Sequence, residues 1–435
     1  MTLTAPADTV DKTTSGKSAR LTTSDGVPLK QSLARALRRQ KLRALMLIAP
    51  LLIMLIVGFL MPIGSMLFRS VENSVVQNSL PRTIETMEAT WNPAVEALPP
   101  EPVFAALVAD LQDLYAERQA LVFARRMNFE LAGFTTMVRR GQRTIPNWDL
   151  ETDGPFREQM AEVHRGWGDP ATWQALRAYS SPLTIGYYLA AWDMTMVRGD
   201  IEAVRSDMAI HRMLFWRTVW MSGLICFLTL LLGYPIAYLL ANVRERHANI
   251  LLILVLLPFW TSLLVRTSAW RVLLQEQGVI NQFLVWISLV DDGSRLQMMN
   301  NKFAVIVSMT HILLPFMILP LYSVMKTIPP SYVRAAKSLG ANDWTAFWRV
   351  YFPQSVPGIG AGAILVFILA VGYYITPELV GGPTGMFISN RIAFQWSESG
   401  NWGLVGALGT IMLVAVLVLY WVYDRIVGVD NVKLG

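Results

Sequence analysis

Four stretches of the chain, residues 44–68, 218–243, 355–376 and 402–423, contain no charged side chain. A fifth, residues 303–325, carries only His311, and a sixth, from 250 to about 270, is interrupted by Arg266. Each is at least as long as the roughly 20 residues that an α-helix needs to cross the hydrocarbon core of a bilayer. Inside that core every backbone N–H and C=O must be satisfied within the protein, so apolar runs of this length predict helices. The first run follows a polar start of 43 residues and is too long for a signal-peptide apolar region, which predicts an uncleaved anchor. The fold class is therefore an all-α membrane protein with six transmembrane helices.

Composition narrows the function classes. Charged residues make up 16% of the chain and hydrophobic ones 53%, whereas an ordinary soluble domain carries about 25% charged residues. Cys226 is the sole cysteine, so neither an intrachain disulfide nor a cysteine-based metal site is expected. The four histidines, at 164, 211, 247 and 311, have no ligand-like spacing, and no metal is expected. The net charge of +6 is unevenly spread: residues 69–213 hold 19 Asp and Glu against 14 Arg and no Lys. A nucleic-acid binder gathers its basic residues on one surface. An acidic loop between basic flanks instead fits a membrane protein with that loop outside.

Lys and Arg set the orientation. Arg35, Arg38, Arg39, Lys41 and Arg43 precede the first span, which places residues 1–43 in the cytoplasm as a tail whose first ~30 residues are disordered. Alternation then puts Arg244, Arg246, Lys326, Arg334, Lys337 and Arg349 inside, residues 69–213 and 381–401 outside, and both termini in the cytoplasm. Within 69–213, Val103, Phe104, Leu107, Val108, Leu111, Leu114 and Tyr115 recur at helical spacing. Trp167, Trp173, Tyr187, Tyr188 and Trp192 are available for a modest core. The segment reads as a small, mainly helical outer domain, followed by a membrane core at 214–435.

One cytoplasmic loop, residues 329–353, is predicted in more detail. Pro329 and Pro330 suit the first turn of a helix. Tyr332, Ala335, Ala336 and Leu339 fall on one face, and Gly340 ends the helix. Asn342 or Asp343 caps a second helix, with Trp344, Phe347, Trp348 and Tyr351 at the same spacing, and Pro353 and Pro357 stop it. On spacing alone this is a helix–turn–helix at the membrane surface, lying on lipid or against another protein.

Ala335, Ala336 and Gly340, followed by Phe352-Pro353 and Pro357-Gly358-Ile359, resemble the EAA loop of type I ABC importer permeases. Arg334 stands where that family has glutamate. The segments at 258–270, 314–322 and 374–383 are similar to the spermidine/putrescine subgroup. The resemblance implies a permease of the bacterial inner membrane with two permease subunits, an ATPase dimer and a periplasmic binding protein. It also implies that Arg334, Ala335, Ala336, Gly340, Ala341, Phe347 and Pro353 form the ATPase-coupling contact, and that the cargo is a polyamine. Another small solute, or a self-contained secondary transporter, is the alternative.

No phosphate-cradling Gly-Lys-Ser/Thr loop is present, so ATP is expected to be used by a partner subunit, with no cofactor and no catalytic residue on this chain. A polycation needs carboxylates and aromatic faces along its path. Glu378, Tyr373, Tyr374, Trp260 and Trp270 are the candidates, against a solvated loop for Glu378 and interfacial anchoring for the tryptophans. Arg266 is expected to snorkel or to pair with a carboxylate, and His311 to hydrogen-bond between helices.

Overall fold

The computed structural model describes residues 29–197 and 200–427. The expectations for the N-terminal tail fall largely on residues 1–28, outside the described residues. The chain divides into two units, residues 1–65 and 66–435.

In the first unit, α1 (Leu29–Leu55) carries Pro50 and passes through a π-helical turn, Ile56–Leu60, into α2 (Met61–Arg69). Leu47 is 84% exposed, as a lipid-facing side chain is.

The second unit begins at Met66, within α2, and continues into the insert. Its helices include α3 (Pro81–Thr90), α4 (Glu101–Ala116), α5 (Ala120–Asn128) and α6 (Gly186–Ala191). The periodic side chains of α4 from Val103 to Leu114 are buried. Phe104 meets Trp173 edge-on at 4.6 Å, and the Trp167 ring lies tilted 6.3 Å from that of Trp173. Asp110, on α4, is buried and caps α3: its carboxylate accepts the Thr83 N–H at 2.8 Å and the Thr83 hydroxyl at 2.7 Å. Burial raises the Asp110 pKa above the ordinary carboxylate value, and the Thr83 hydrogen bonds and Arg82 only partly oppose it.

One expectation for this segment fails. Tyr187 and Tyr188 leave the insert's core and pack with Leu214, Ile388 and Leu404, and Trp192 is exposed. The segment also holds a hairpin, β1 (Met194–Val197) with β2 (Asp200–Ala203). Asp193 before it has φ of 54° and accepts the N–H groups of Ile210, His211 and Arg212, capping the next span.

That span is α7 (His211–Asn242). After α8 (Glu245–Leu256) and a 3₁₀ turn at Leu257–Trp260, the chain bends by 93° into α9 (Leu263–Leu274). The apolar run expected as one span from 250 to about 270 is thus divided between two helices. Pro258 lies in the turn and Ser262 caps the new helix by accepting the Val265 N–H at 3.2 Å. Then follow α10 (Lys302–Thr327), α11 (Pro330–Ser338), α12 (Asp343–Ala346) and α13 (Phe352–Gly372). The chain ends with α14 (Ile375–Val380), α15 (Ile388–Phe394) and α16 (Trp402–Val427). Five helices among the described residues are long and apolar enough to cross a bilayer, six if the bent pair is counted as one span.

The packed centre of the membrane region is α7, α10 and α13. Met309, Leu313, Met317 and Leu321 of α10 are fully buried. Lipid tails are as apolar as these side chains, so close helix approach rather than a solvent-driven collapse holds such a bundle. Gly362 shows the consequence: a Cβ there would sit 2.7 Å from the Met317 sulfur.

Candidate functional site

The loop between α10 and α13 is built from three local devices. Pro329 and Pro330 open α11, where a missing N–H costs nothing. Its end is a Schellman turn: the Ala341 N–H donates to the Ala336 carbonyl at 3.0 Å and the Gly340 N–H to that of Lys337 at 3.0 Å. Gly340 supplies the φ of 91° that this turn requires, a conformation costing other residues about 1–2 kcal/mol. Asn342 then caps α12 by accepting the Thr345 N–H at 2.8 Å, and Asp343 pairs with Lys337 across the turn.

The second helix does not stop at Pro353 as expected. It runs on through a π-helical turn, Phe347–Tyr351, into α13, with Pro353 as that helix's second residue. Proline cannot donate to a carbonyl four residues earlier, and the wider turn accommodates that loss. The Gln354 side chain donates to the Val350 carbonyl at 2.7 Å. The widening also splits the expected aromatic face. Trp344 and Trp348 point outward, 71% and 44% exposed, while Tyr351 is buried and Phe347 half-buried.

Phe347 and Tyr351 belong to an aromatic cluster that fastens the loop to α7. Tyr234 lies edge-on to Phe347 at 6.1 Å, and Tyr238 meets Tyr351 at 5.1 Å. The Tyr234 and Ser355 hydroxyls are hydrogen-bonded at 3.0 Å. Sequence reasoning missed Tyr234 and Tyr238, although their i, i+4 spacing at the basic end of an apolar run was the available signal. Outside this clamp the loop presents a bare face. Tyr332 is 52% and Leu339 89% exposed. Arg334 and Ala335 are exposed beside them, with Ala336 half-buried. Among the described residues Arg334 forms no ion pair.

The five candidate path residues are spread over the bend at Trp260, α9 and the 373–378 turn. Glu378, on α14, is exposed, and its carboxylate accepts the Asn390 amide at 2.7 Å. Asn390, buried on α15, also donates to the Tyr374 carbonyl at 2.9 Å, and Ser389 donates to that of Tyr373 at 2.6 Å. Asn390 therefore holds the 373–378 turn, a role that no sequence signal marked. Thr267 and Thr376, hydrogen-bonded at 3.2 Å, join α9 to α14. The Trp270 indole N–H donates to His311 Nδ1 at 3.1 Å, linking α9 to α10. Trp260 stands apart on the bend, 74% exposed. Of the two expectations for Arg266, the carboxylate pair is absent among the described residues, and its Nε and Nη1 are buried without a hydrogen bond.

Residues 230–428 match the family described as binding-protein-dependent transport system inner membrane component. The chain is 34% identical over 216 residues to the spermidine/putrescine transport system permease protein PotB of Haemophilus influenzae, covering 50% of this chain and 75% of that protein. It is 32% identical over 225 residues to the inner membrane ABC transporter permease protein YdcU of Escherichia coli, covering 49% and 70%. Among solved structures, a bacterial alginate ABC transporter in complex with its pentasaccharide-bound periplasmic protein matches with a TM-score of 0.41 and 22% identity, covering 52% and 80%. The family match and the two permease relatives, with five apolar helices long enough to cross a bilayer, define an integral membrane permease. The chain belongs to the binding-protein-dependent transport family and is a permease subunit of an ABC importer.

Proposed function

We propose that this permease moves polyamines across the bacterial inner membrane. A periplasmic binding protein delivers them, a second permease subunit completes the pore, and a separate ATPase dimer drives it. The chain itself binds no cofactor and catalyses no reaction. The observation that carries the coupling half is the bare face of α11 and its turn, with Leu339 at 89% exposure on a loop that the aromatic cluster holds rigid. An apolar face so presented beside Arg334 and Gly340 suits a protein groove. Arg334, Ala335, Ala336, Gly340 and Ala341 are the docking residues in this reading, and Phe347 and Pro353 set their position.

The cargo half rests on the likeness to PotB and on Glu378, an exposed carboxylate beside Tyr373 and Tyr374. Cations are attracted to both kinds of group. The insert faces the periplasm and both termini the cytoplasm, so cysteine placed at exposed Asn147, with Cys226→Ser, reacts with an impermeant thiol reagent in spheroplasts. Labelling only after lysis reverses that topology. The cargo is tested by uptake of labelled spermidine and putrescine in a deletion strain complemented with the full transporter. Uptake restored for an unrelated solute and for neither polyamine refutes the assignment. One observation favours a second reading: the unpaired guanidinium of Arg266 suits a cargo with a carboxylate, such as an amino acid, and the same uptake assay includes one.

A further inference from the structure

A cleft of about 260 Å³ opens where the insert meets the spans, and it has no part in coupling or in the candidate path. One side is made of helix ends: Arg69 closes α2, Trp402 opens α16, and the guanidinium lies 5.7 Å from the indole ring. Both side chains mark the end of an apolar span, the level at which hydrocarbon gives way to headgroups. The opposite side is α5 of the insert, with Arg125 and Arg126.

The charges here do not cancel. Arg126 is only 6% exposed, donates to Asn73 at 2.9 Å, pairs with Glu130 at 2.7 Å and lies over the Tyr179 and Tyr187 rings. Its Nη2 is nevertheless buried with no partner. Arg69 and Arg125 form no ion pair among the described residues, and with Arg126 balanced by Glu130 they face a single lining carboxylate, Glu72, which accepts the Ser74 hydroxyl at 2.5 Å. Next to these cations Val122 is 55%, Phe129 37% and Trp402 49% exposed. Apolar and aromatic side chains left bare beside unpaired arginines at the end of a span are what a lipid covers: phosphate on the arginines, glycerol and upper acyl chain on the apolar rim.

We propose that this cleft binds the phosphate of one phospholipid headgroup from the leaflet on the insert's side. Arg69 and Arg125 are its direct ligands, and Arg126, its charge balanced by Glu130, adds the unpartnered Nη2 behind them. The lipid would tie the insert to the ends of α2 and α16, whatever cargo the permease moves.

The test uses the full-length chain, delipidated in detergent, with native mass spectrometry during titration of phosphatidylglycerol. One lipid is expected to bind more tightly than the rest. Arg69→Gln with Arg125→Gln is expected to weaken it about a hundredfold, about tenfold for each lost charge-assisted contact. Arg143→Gln, an exposed arginine elsewhere on the insert, is the control and leaves it unchanged. Circular dichroism and melting of the lipid-free variants confirm folding, and Arg125→Gln alone, at an exposed position, serves if the double variant is unstable. Diacylglycerol, which lacks the phosphate, is expected not to compete. Equal lipid affinity in the double variant overturns the proposal. So does inorganic phosphate that competes as well as the lipid does, which makes the cleft a free-anion site. Loss of binding-protein docking in the variant with lipid affinity intact overturns it too, because the arginines then serve a protein's carboxylates.

Discussion

The insert and the α11–α12 loop both carry aromatic and aliphatic side chains at helical spacing, and they spend them in opposite directions. In the insert the pattern closes on itself. Trp167 and Trp173 are fully buried, and the Trp173 indole donates to the Trp167 carbonyl at 2.9 Å. In the loop, Tyr332, Leu339 and Trp344 remain at the surface. The difference lies in what surrounds each helix. The insert supplies several short helices that cover one another's apolar faces, whereas α11 has only nine residues and one inner contact line, through Ile328 and Val333. An amphipathic segment with its own partners makes a domain; one without them leaves its apolar face exposed.

The comparison breaks first, and by the largest effect, at the insert's core. Trp173→Ala is expected to cost about 3–5 kcal/mol through lost burial and a residual cavity, measured by denaturant unfolding in detergent micelles. A loss below 1 kcal/mol would mean that the insert is not held by this core. Next comes the cap from α4: Asp110→Ala leaves the Thr83 N–H without its acceptor and is expected to cost about 1–3 kcal/mol in the same measurement.

Asp110 also sets a pH dependence. Because folding raises its pKa, its contribution is full below the ordinary carboxylate pKa and is lost as pH rises through the raised value. Parent protein should therefore lose stability relative to Asp110→Asn as pH rises from the acid side, and parallel curves would contradict this. In the loop, Gly340→Ala is expected to cost about 1–2 kcal/mol, confined to the turn and read by hydrogen exchange at Ala341. The smallest effect sharpens the contrast most. Leu339→Asp is expected to change unfolding stability by less than about 0.5 kcal/mol, as a surface substitution does.

The membrane frame was legible because uncharged length is a one-dimensional property, and bilayer thickness turns it directly into helices. The loop was legible up to Asn342 because Pro330, Gly340 and Asn342 act on their own backbone neighbours. It ceased to be legible where the effect depended on register. The π-helical turn at Phe347–Tyr351 shifts the aromatic face, and Pro353 begins the continuation of the helix rather than ending it. The 93° break after Trp260 was hidden for a related reason, since Pro258 and Ser262 sit inside a run whose hydropathy reads as continuous. In the insert, Tyr187 has the same local signature as Trp173, yet it packs against Leu404. Which core an aromatic joins is decided by chain topology, not by spacing. The path residues were the least legible: Glu378 depends on Asn390, twelve residues away on another helix.

The most direct test of the bare-face reading is ATP hydrolysis by the reconstituted transporter carrying Leu339→Asp. A charge on a side chain that is 89% exposed should leave the isolated permease folded, with unchanged melting and membrane insertion. It should abolish co-purification of the ATPase, substrate-stimulated hydrolysis and uptake together. Retention of all three at parental levels, with the aspartate in place, would contradict the assignment of this face to the ATPase.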